Sequence, residues 1–177
     1  MTDRAPSPAK LAHLVIRTAR FDELIDWWTT VLVARVVHRD DALAFITYDD
    51  EHHRLALLRN PGVGDDGRSN AGMEHVAFTY ASLDDLVATY ERLRDAGITP
   101  ILPINHGMTL SLYYQDPDGN QAELQIDLTT SDEADAFMAS ETFADNPLGV
   151  VFDPEEMAAQ HRGGEDVTAL SVYGPAS

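Results

Sequence analysis

The side chains best suited to chemistry in this sequence are imidazoles and carboxylates: there are seven His and 30 Asp plus Glu, and no Cys. Without Cys there is no disulfide, no thiolate nucleophile and no sulfur-ligated zinc or iron–sulfur site, so any metal ion must be held by imidazole nitrogen and carboxylate oxygen. Two of the histidines occupy equivalent places in an internal repeat. Residues 13–28, HLVIRTARFDELIDWW, lie without gaps over residues 75–90, HVAFTYASLDDLVATY. His13/His75, Ala19/Ala81, Asp22/Asp84 and Leu24/Leu86 are identical, and Leu14/Val76, Ile16/Phe78, Phe21/Leu83 and Ile25/Val87 agree in character.

Regular elements must carry those histidines. Each copy reads as a strand of alternating character, a turn, and a helix whose apolar residues recur at three and four. In the second copy Ser82 with Asp85 resembles a capping box and Gly97 suits the position after the helix end, which brackets a helix over about 83–96. Three short strands are expected after each helix: about 34–39, 42–48 and 53–58, then 98–102, 109–115 and 121–127. The turn Asp116-Pro117-Asp118-Gly119 separates the last two. Each half is therefore βαβββ. The expected fold class is α+β: two tandem modules, about 10–59 and 73–128, share a cupped mixed sheet around a metal site and form one domain over 1–128. The Gly-, Asp- and Asn-rich segment 60–72 reads as their linker. Residues 129–177 form a C-terminal extension outside the repeat, in which Asp153 and Pro154 resemble an N-cap and first helical residue. The apolar run Leu148–Phe152 points to docking on the sheet, on the pocket rim or on a second subunit.

Composition narrows the partners. Twelve basic against 30 acidic side chains give a net charge of −18, a field that repels phosphate backbones and anionic lipid heads. A small molecule is expected, with neither nucleic acid nor membrane as partner. The opening MTDRAPSPAK lacks the apolar core of a signal peptide, and no apolar run approaches the roughly 18 residues of a membrane span. A cytoplasmic protein and a homo-oligomer, a dimer in the first instance, are the expectations.

Neighbours on a strand point to opposite faces. Leu14, Ile16, Val76, Phe78, Leu110, Leu112, Leu124 and Ile126 form the set expected to face the helices. The opposite set is polar: His13 and Arg17; His75 and Thr79; Thr109, Ser111 and Tyr113; Gln121, Glu123 and Gln125. Two neutral imidazoles and one carboxylate, with other positions open, are the ligand set of non-haem iron(II) oxygenases. Manganese or zinc could occupy the same ligands. A single strand histidine is more often a hydrogen-bonded structural residue than a ligand; the repeat equivalence and Glu123 on the same face favour the metal. His38 and His161 have no partner in the pattern and are expected at the surface. Core packing is expected for at least one of Trp27 and Trp28.

Over residues 10–128 the chain resembles the vicinal oxygen chelate superfamily, which includes glyoxalases, fosfomycin-resistance enzymes, bleomycin-binding proteins and type I extradiol dioxygenases. The resemblance is carried by DPDGNQAELQ, residues 116–125, and GMEHVAF, residues 72–78. Three features resemble the extradiol branch: His52-His53 in DEHHRLALL, and His106 and Tyr113 in HGMTLSLYY. That resemblance implies an iron(II)-dependent dioxygenase opening the ring of a catechol with dioxygen. His13, His75 and Glu123 would be the ligands, His53 the acid–base, and His106 and Tyr113 the hydrogen-bonding partners of the substrate oxygens. Strand parity puts Tyr113, not Tyr114, on the ligand face but leaves His52 open beside His53. Aligning Asp118 with Asp50 sets Glu123 over Leu55, so the first module offers no carboxylate and three protein ligands are expected. Leu55 and Leu57 could line an apolar ring pocket or pack in the core. The alternatives are a non-oxidative metal enzyme of the same superfamily, a lyase, isomerase or thiol-transfer resistance enzyme, and a metal-free binding protein.

Overall fold

The computed structural model describes residues 7–64 and 72–165. The chain divides into two compact units, Met1–Asn70 and Ala71–Ser177. The first contains β1 (Leu14–Thr18), α1 (Phe21–Leu32), β2 (Arg35–Arg39), β3 (Leu43–Thr47) and β4 (Leu55–Arg59). The second repeats the order with β5 (His75–Thr79), α2 (Leu83–Asp95), β6 (Leu102–Asn105), β7 (Thr109–Gln115) and β8 (Gln121–Asp127). It continues into α3 (Ser131–Met138), α4 (Glu141–Asp145), β9 (Val150–Val151) and α5 (Pro154–Arg162).

Hydrogen bonding among these strands closes within each unit. The one shared sheet expected from the repeat is therefore two mixed sheets, ordered β1-β4-β3-β2 and β5-β8-β7-β6-β9. In each, the strand before the helix runs parallel to the last strand of the module, β1 with β4 and β5 with β8, and the other pairings are antiparallel. A parallel pair needs a long crossover, which the helix and two intervening strands supply.

The apolar spacing of α1 buries Phe21, Leu24, Ile25, Trp28, Val31 and Leu32, together with Ile16, Ala44, Ile46, Leu55 and Leu57 of the first sheet. Each such aliphatic side chain contributes about 1.5–3 kcal/mol when fully buried. Trp28 is fully buried, and the half-buried Trp27 meets it edge-on at 4.9 Å. In the second unit α2 buries Leu86, Val87, Tyr90 and Leu93, and the core continues through Leu110, Leu112, Leu124 and Ile126. Ser82 caps α2 by accepting from the Asp85 N–H at 3.2 Å.

Strands β7 and β8 have the bounds that alternation predicts, whereas β6 begins four residues later than the expected 98–102. The end of α2 causes the delay. Gly97, at φ 78°, lets its own N–H reach the Arg94 carbonyl at 2.9 Å and the Ile98 N–H reach the Leu93 carbonyl at 2.8 Å. This is a Schellman closure, which commits residue 98 to the helix end. Pro100 then offers no N–H to a ladder.

The extension packs on the second unit. β9 adds to β6, and α5 lies along α2 with Met157 and Ala158 buried. Arg94 meets Glu155 at 2.9 Å, His161 meets Asp84 at 2.5 Å and Arg162 meets Glu91 at 2.6 Å. Asp153 caps α5 with Pro154 behind it, as expected. Part of the expected linker, residues 65–71, and the final residues 166–177 lie outside the described residues. Among the described residues no helix is long and apolar enough to cross a membrane.

Candidate active site

In the second unit the parallel register sets Ala77 opposite Glu123 and His75 opposite Gln121, and the antiparallel register sets Tyr113 opposite Glu123. Paired residues share a face, so His75, Glu123 and Tyr113 stand together on the face away from α2. His75 Nε2 lies 3.0 Å from Glu123 Oε2. The Tyr113 ring meets the His75 ring edge-on at 5.2 Å, and its hydroxyl hydrogen-bonds Glu123. The loop before β8 is tightly tied. Asp116 Oδ1 accepts from the N–H groups of Asp118 at 3.0 Å and Asn120 at 2.8 Å, and Gly119 turns the chain at φ 90°.

His106 enters from the turn between β6 and β7. That turn is fixed by Gly107 at φ 84° and by Gly107 N–H donating to Asn105 Oδ1 at 2.7 Å. His106 Nε2 is 3.1 Å from the Tyr113 hydroxyl and 4.0 Å from Glu123 Oε1. Burial lowers the His106 pKa, which Glu123 and a hydrogen bond to the Leu148 backbone oppose. Burial, and then the Glu123 charge, raise the Tyr113 pKa, so its phenol keeps its proton at ordinary pH.

In the first unit His13 sits one residue before β1. Arg54 fixes the chain leading into it, donating to the carbonyls of Leu11 at 2.9 Å and Ala12 at 3.2 Å while its guanidinium pairs with Asp49 at 2.8 Å. His53 packs against His13 with ring centroids 4.4 Å apart, and stacks on Phe45 at 4.3 Å and 16°. His52 is largely exposed and meets Glu51 at 3.5 Å and His53, Nδ1 to Nδ1, at 2.6 Å. Of the adjacent pair, then, His53 is the one beside His13. Burial, followed by repulsion from His13 and His52, lowers the His53 pKa. His38 and His161 are taken up by Asp40 and Asp84 at 3.3 and 2.5 Å.

Register also corrects the alignment of the modules. Ala77 opposes Glu123 in the second sheet, and its repeat counterpart Val15 opposes Ala56 in the first. Ala56, not Leu55, therefore takes the place of Glu123. Phe45, opposite Ala56, takes the place of Tyr113, opposite Glu123. Leu55 and Leu57 point the other way, are 1% and 0% exposed, and belong to the core, so they line no ring pocket. An apolar run of both parities hid the choice of face. The conclusion that the first module lacks a carboxylate stands. Phe45 and the Leu148 carbonyl were not singled out by sequence: the first needed the register, and a backbone carbonyl leaves no residue-type signal.

Within the second unit, Glu123 is 5% exposed, and its partners are two imidazoles and a phenol, none with a fixed positive charge. A buried carboxylate so placed is costly unless a cation compensates it. Imidazole nitrogen beside carboxylate oxygen is a donor pair suited to a divalent ion, so these residues fit one. Among the described residues no group of three or more His, Asp or Glu side chains is gathered as a complete set of metal ligands.

This arrangement of two βαβββ modules, with a histidine opening each and a carboxylate on the last strand of the second, has a known family. The chain belongs to the Glyoxalase/Bleomycin resistance protein/Dioxygenase superfamily, whose model matches residues 10–124. It is 51% identical over 173 residues to Biphenyl-2,3-diol 1,2-dioxygenase 2 of Rhodococcus globerulus, a match covering 93% of this chain and 87% of that protein. It is 43% identical to Biphenyl-2,3-diol 1,2-dioxygenase 3 of the same organism, over 92% and 87% of the two chains. A glyoxylase/bleomycin resistance protein/dioxygenase domain from Frankia sp. EAN1pec shares the fold, with TM-score 0.57 and 22% identity over 68% of this chain and 99% of that one.

Proposed function

We propose that the chain is an extradiol dioxygenase that opens the aromatic ring of a catechol with dioxygen, using iron(II) held by His13, His75 and Glu123. The observation that carries this reading is that Tyr113 and His106 gather on the same buried carboxylate as His75. A site that only polarises a substrate oxygen needs the ligands but has no use for that phenol and imidazole beside them. The identity to the two biphenyl-diol dioxygenases, spread over more than nine-tenths of the chain, supports the same reaction class. It makes an aryl-substituted catechol the first substrate to test.

When bound, iron(II) would supply the charge that acidifies a diol hydroxyl and a redox-active centre through which the catechol's own electrons reach dioxygen. Manganese(II) could take the same ligands. The chain's own groups then have distinct tasks. Tyr113, protonated at working pH, donates to a substrate oxygen, and His106 fixes the second point of the diol's orientation. His53, kept neutral by burial and by His13, is the imidazole able to accept and return a proton. The superfamily's non-oxidative metal enzymes are the second reading. Ala56 weighs against it, since glyoxalase-like members usually draw a carboxylate from each module. A cytoplasmic homodimer acting in aromatic catabolism accompanies the first reading, and the net charge of −18 agrees with a small-molecule partner rather than a nucleic acid.

The test is oxygen-electrode uptake by anaerobically iron(II)-loaded protein across a catechol panel, read beside the yellow ring-opened product, with His75→Ala as control. Uptake with matching product, lost in the control, is expected. Stoichiometric metal binding without uptake on any catechol would favour the non-oxidative reading.

A further inference from the structure

The two modules hold their opening histidines differently. His75 is the first residue of β5 and is paired in register with Gln121, whereas His13 and Arg54 each stand one residue before the first paired positions, Leu14 and Leu55. Residues 7–13 are all exposed and form no helix or strand, so neither a ladder nor burial fixes the chain that leads into His13. An exposed segment of that kind frays unless something ties it down. Arg54 supplies the tie. Its N–H donates to the Ile46 carbonyl at 2.8 Å and its carbonyl accepts from the Leu14 N–H at 2.9 Å, so its backbone is fixed between β3 and β1. In its side chain, which is 21% exposed, Nε and Nη2 both meet Asp49 Oδ2, at 2.9 and 2.8 Å. That leaves Nη1 to donate to the carbonyls of Leu11 at 2.9 Å and Ala12 at 3.2 Å. Asp49 is itself held, its Oδ1 accepting from the Glu51 N–H at 3.0 Å and the Thr47 hydroxyl at 3.2 Å. Lys10 also pairs with Glu51, but its side chain is 61% exposed, and surface pairs of that kind are worth little.

We propose that Arg54, braced by Asp49, is a positioning residue for the metal ligand of the first module: it fixes the backbone at Leu11 and Ala12 so that the His13 imidazole is already in place when an ion arrives. A planar guanidinium carries its N–H donors in one rigid fork, so it can grip a carboxylate and two carbonyls at once; a lysine ammonium is a compact point charge without that fork. The gain for the ion is one of pre-organisation. If His13 is in the ligating position only part of the time, the apparent dissociation constant rises by the inverse of that fraction. Arg54 touches the chain before His13, not the ion or a substrate. The inference rests on the reading of His13 as a ligand, not on the reaction that the metal performs.

The test uses the full-length, metal-free protein and manganese(II) alone, the free ion being read by its electron paramagnetic resonance signal. His13→Ala is expected to bind more weakly than the wild type. Arg54→Met, which keeps an apolar stem and loses every donor, should bind about tenfold more weakly, and Arg54→Lys should fall between Arg54→Met and the wild type. Combined with His13→Ala, Arg54→Met should weaken binding no further, since it acts through that histidine. Amide exchange at Leu14 should quicken in Arg54→Met while that of β7 keeps its wild-type rate. Wild-type affinity or unchanged Leu14 exchange in a folded Arg54→Met overturns the proposal, as does an equal loss of affinity with and without His13. If Arg54→Met does not fold, wild-type affinity in Arg54→Lys overturns it. Wild-type affinity in His13→Ala would remove the ligand reading and the proposal with it, whereas weak binding in His13→Ala beside wild-type binding in Arg54→Met removes the proposal alone.

Discussion

Replacing Tyr113 by Phe separates chemistry from packing at the centre of the site. The ring is 8% exposed and meets His75 edge-on at 5.2 Å, contacts that Phe retains. Only the hydroxyl is lost, and with it the hydrogen bond to Glu123 and the 3.1 Å contact with His106 Nε2. A hydrogen bond to a charged carboxylate is worth about 1.5–3 kcal/mol and one between neutral groups about 0.5–1.5 kcal/mol. If the phenol is redirected to a substrate oxygen during turnover, its removal should raise the barrier by about 1.4–2.8 kcal/mol, a loss of about 10- to 100-fold in kcat. Folding stability of the metal-free protein should fall by about 1.5–3 kcal/mol, the worth of the hydrogen bond to the carboxylate, since the cavity left is a single oxygen. Product absorbance under saturating oxygen gives kcat and KM, and urea unfolding of the metal-free protein gives stability. An unchanged kcat beside that loss of stability would make Tyr113 a brace for Glu123 and refute its catalytic role.

Metal should raise the melting temperature of the wild type by mass action, about 2.7 kcal/mol at a hundredfold excess over Kd. Thermal scans with manganese(II) or anaerobic iron(II) should lose that gain in His13→Ala, His75→Ala and Glu123→Ala alike; a full gain in His13→Ala would remove it from the ligand set. Burial and a hydrogen bond to Glu155 push the Tyr90 pKa up to about 12. The folded state therefore holds that proton more tightly than the unfolded chain, and the stability it confers is whole below about pH 10 and lost as pH rises toward 12. Urea midpoints should follow that course, with a shallower fall in Tyr90→Phe; a flat profile through pH 12 would contradict it. Asp153→Ala removes the acceptor for the Glu155 and Glu156 N–H groups at 2.8 and 3.4 Å. It should cost about 1 kcal/mol and hasten proteolysis within α5 before that of β7 or β8.

The features legible in the sequence are those set by local periodicity. β7 and β8 alternate strictly and meet at Asp-Pro-Asp-Gly, so both their bounds and the shared face of Tyr113 and Glu123 follow from parity alone. The His13/His75 equivalence needed only an ungapped overlay. Parity fails on β4, where Leu55, Ala56, Leu57 and Leu58 are apolar in succession; the face was settled by the pairing of Ala56 with Val15 and Phe45. The place of β6 depended on how many residues the end of α2 consumes, a matter of carbonyl closure rather than composition. That His53 rather than His52 lies against His13 was visible only in the ring contacts, since two adjacent histidines leaving a turn have no fixed parity.

Comparing the two modules position by position explains why a duplicated fold offers one carboxylate rather than two. In the second module the opening histidine, His75, faces Glu123 with Tyr113 beside it. In the first, the same places are Ala56 and Phe45, so His13 has neither a carboxylate nor a phenol from its own sheet. His53 lies in that neighbourhood instead, stacked on Phe45 and 4.4 Å from His13. Restoring a carboxylate at Ala56 would place a second buried negative charge beside His13 and His53, and an anion there would raise the pKa of His53 where its surroundings now lower it. Without that carboxylate, the first module keeps beside His13 an imidazole whose pKa its surroundings lower. An imidazole in that state is free to take up a proton near neutral pH, whereas one beside an added carboxylate would more readily hold a proton already.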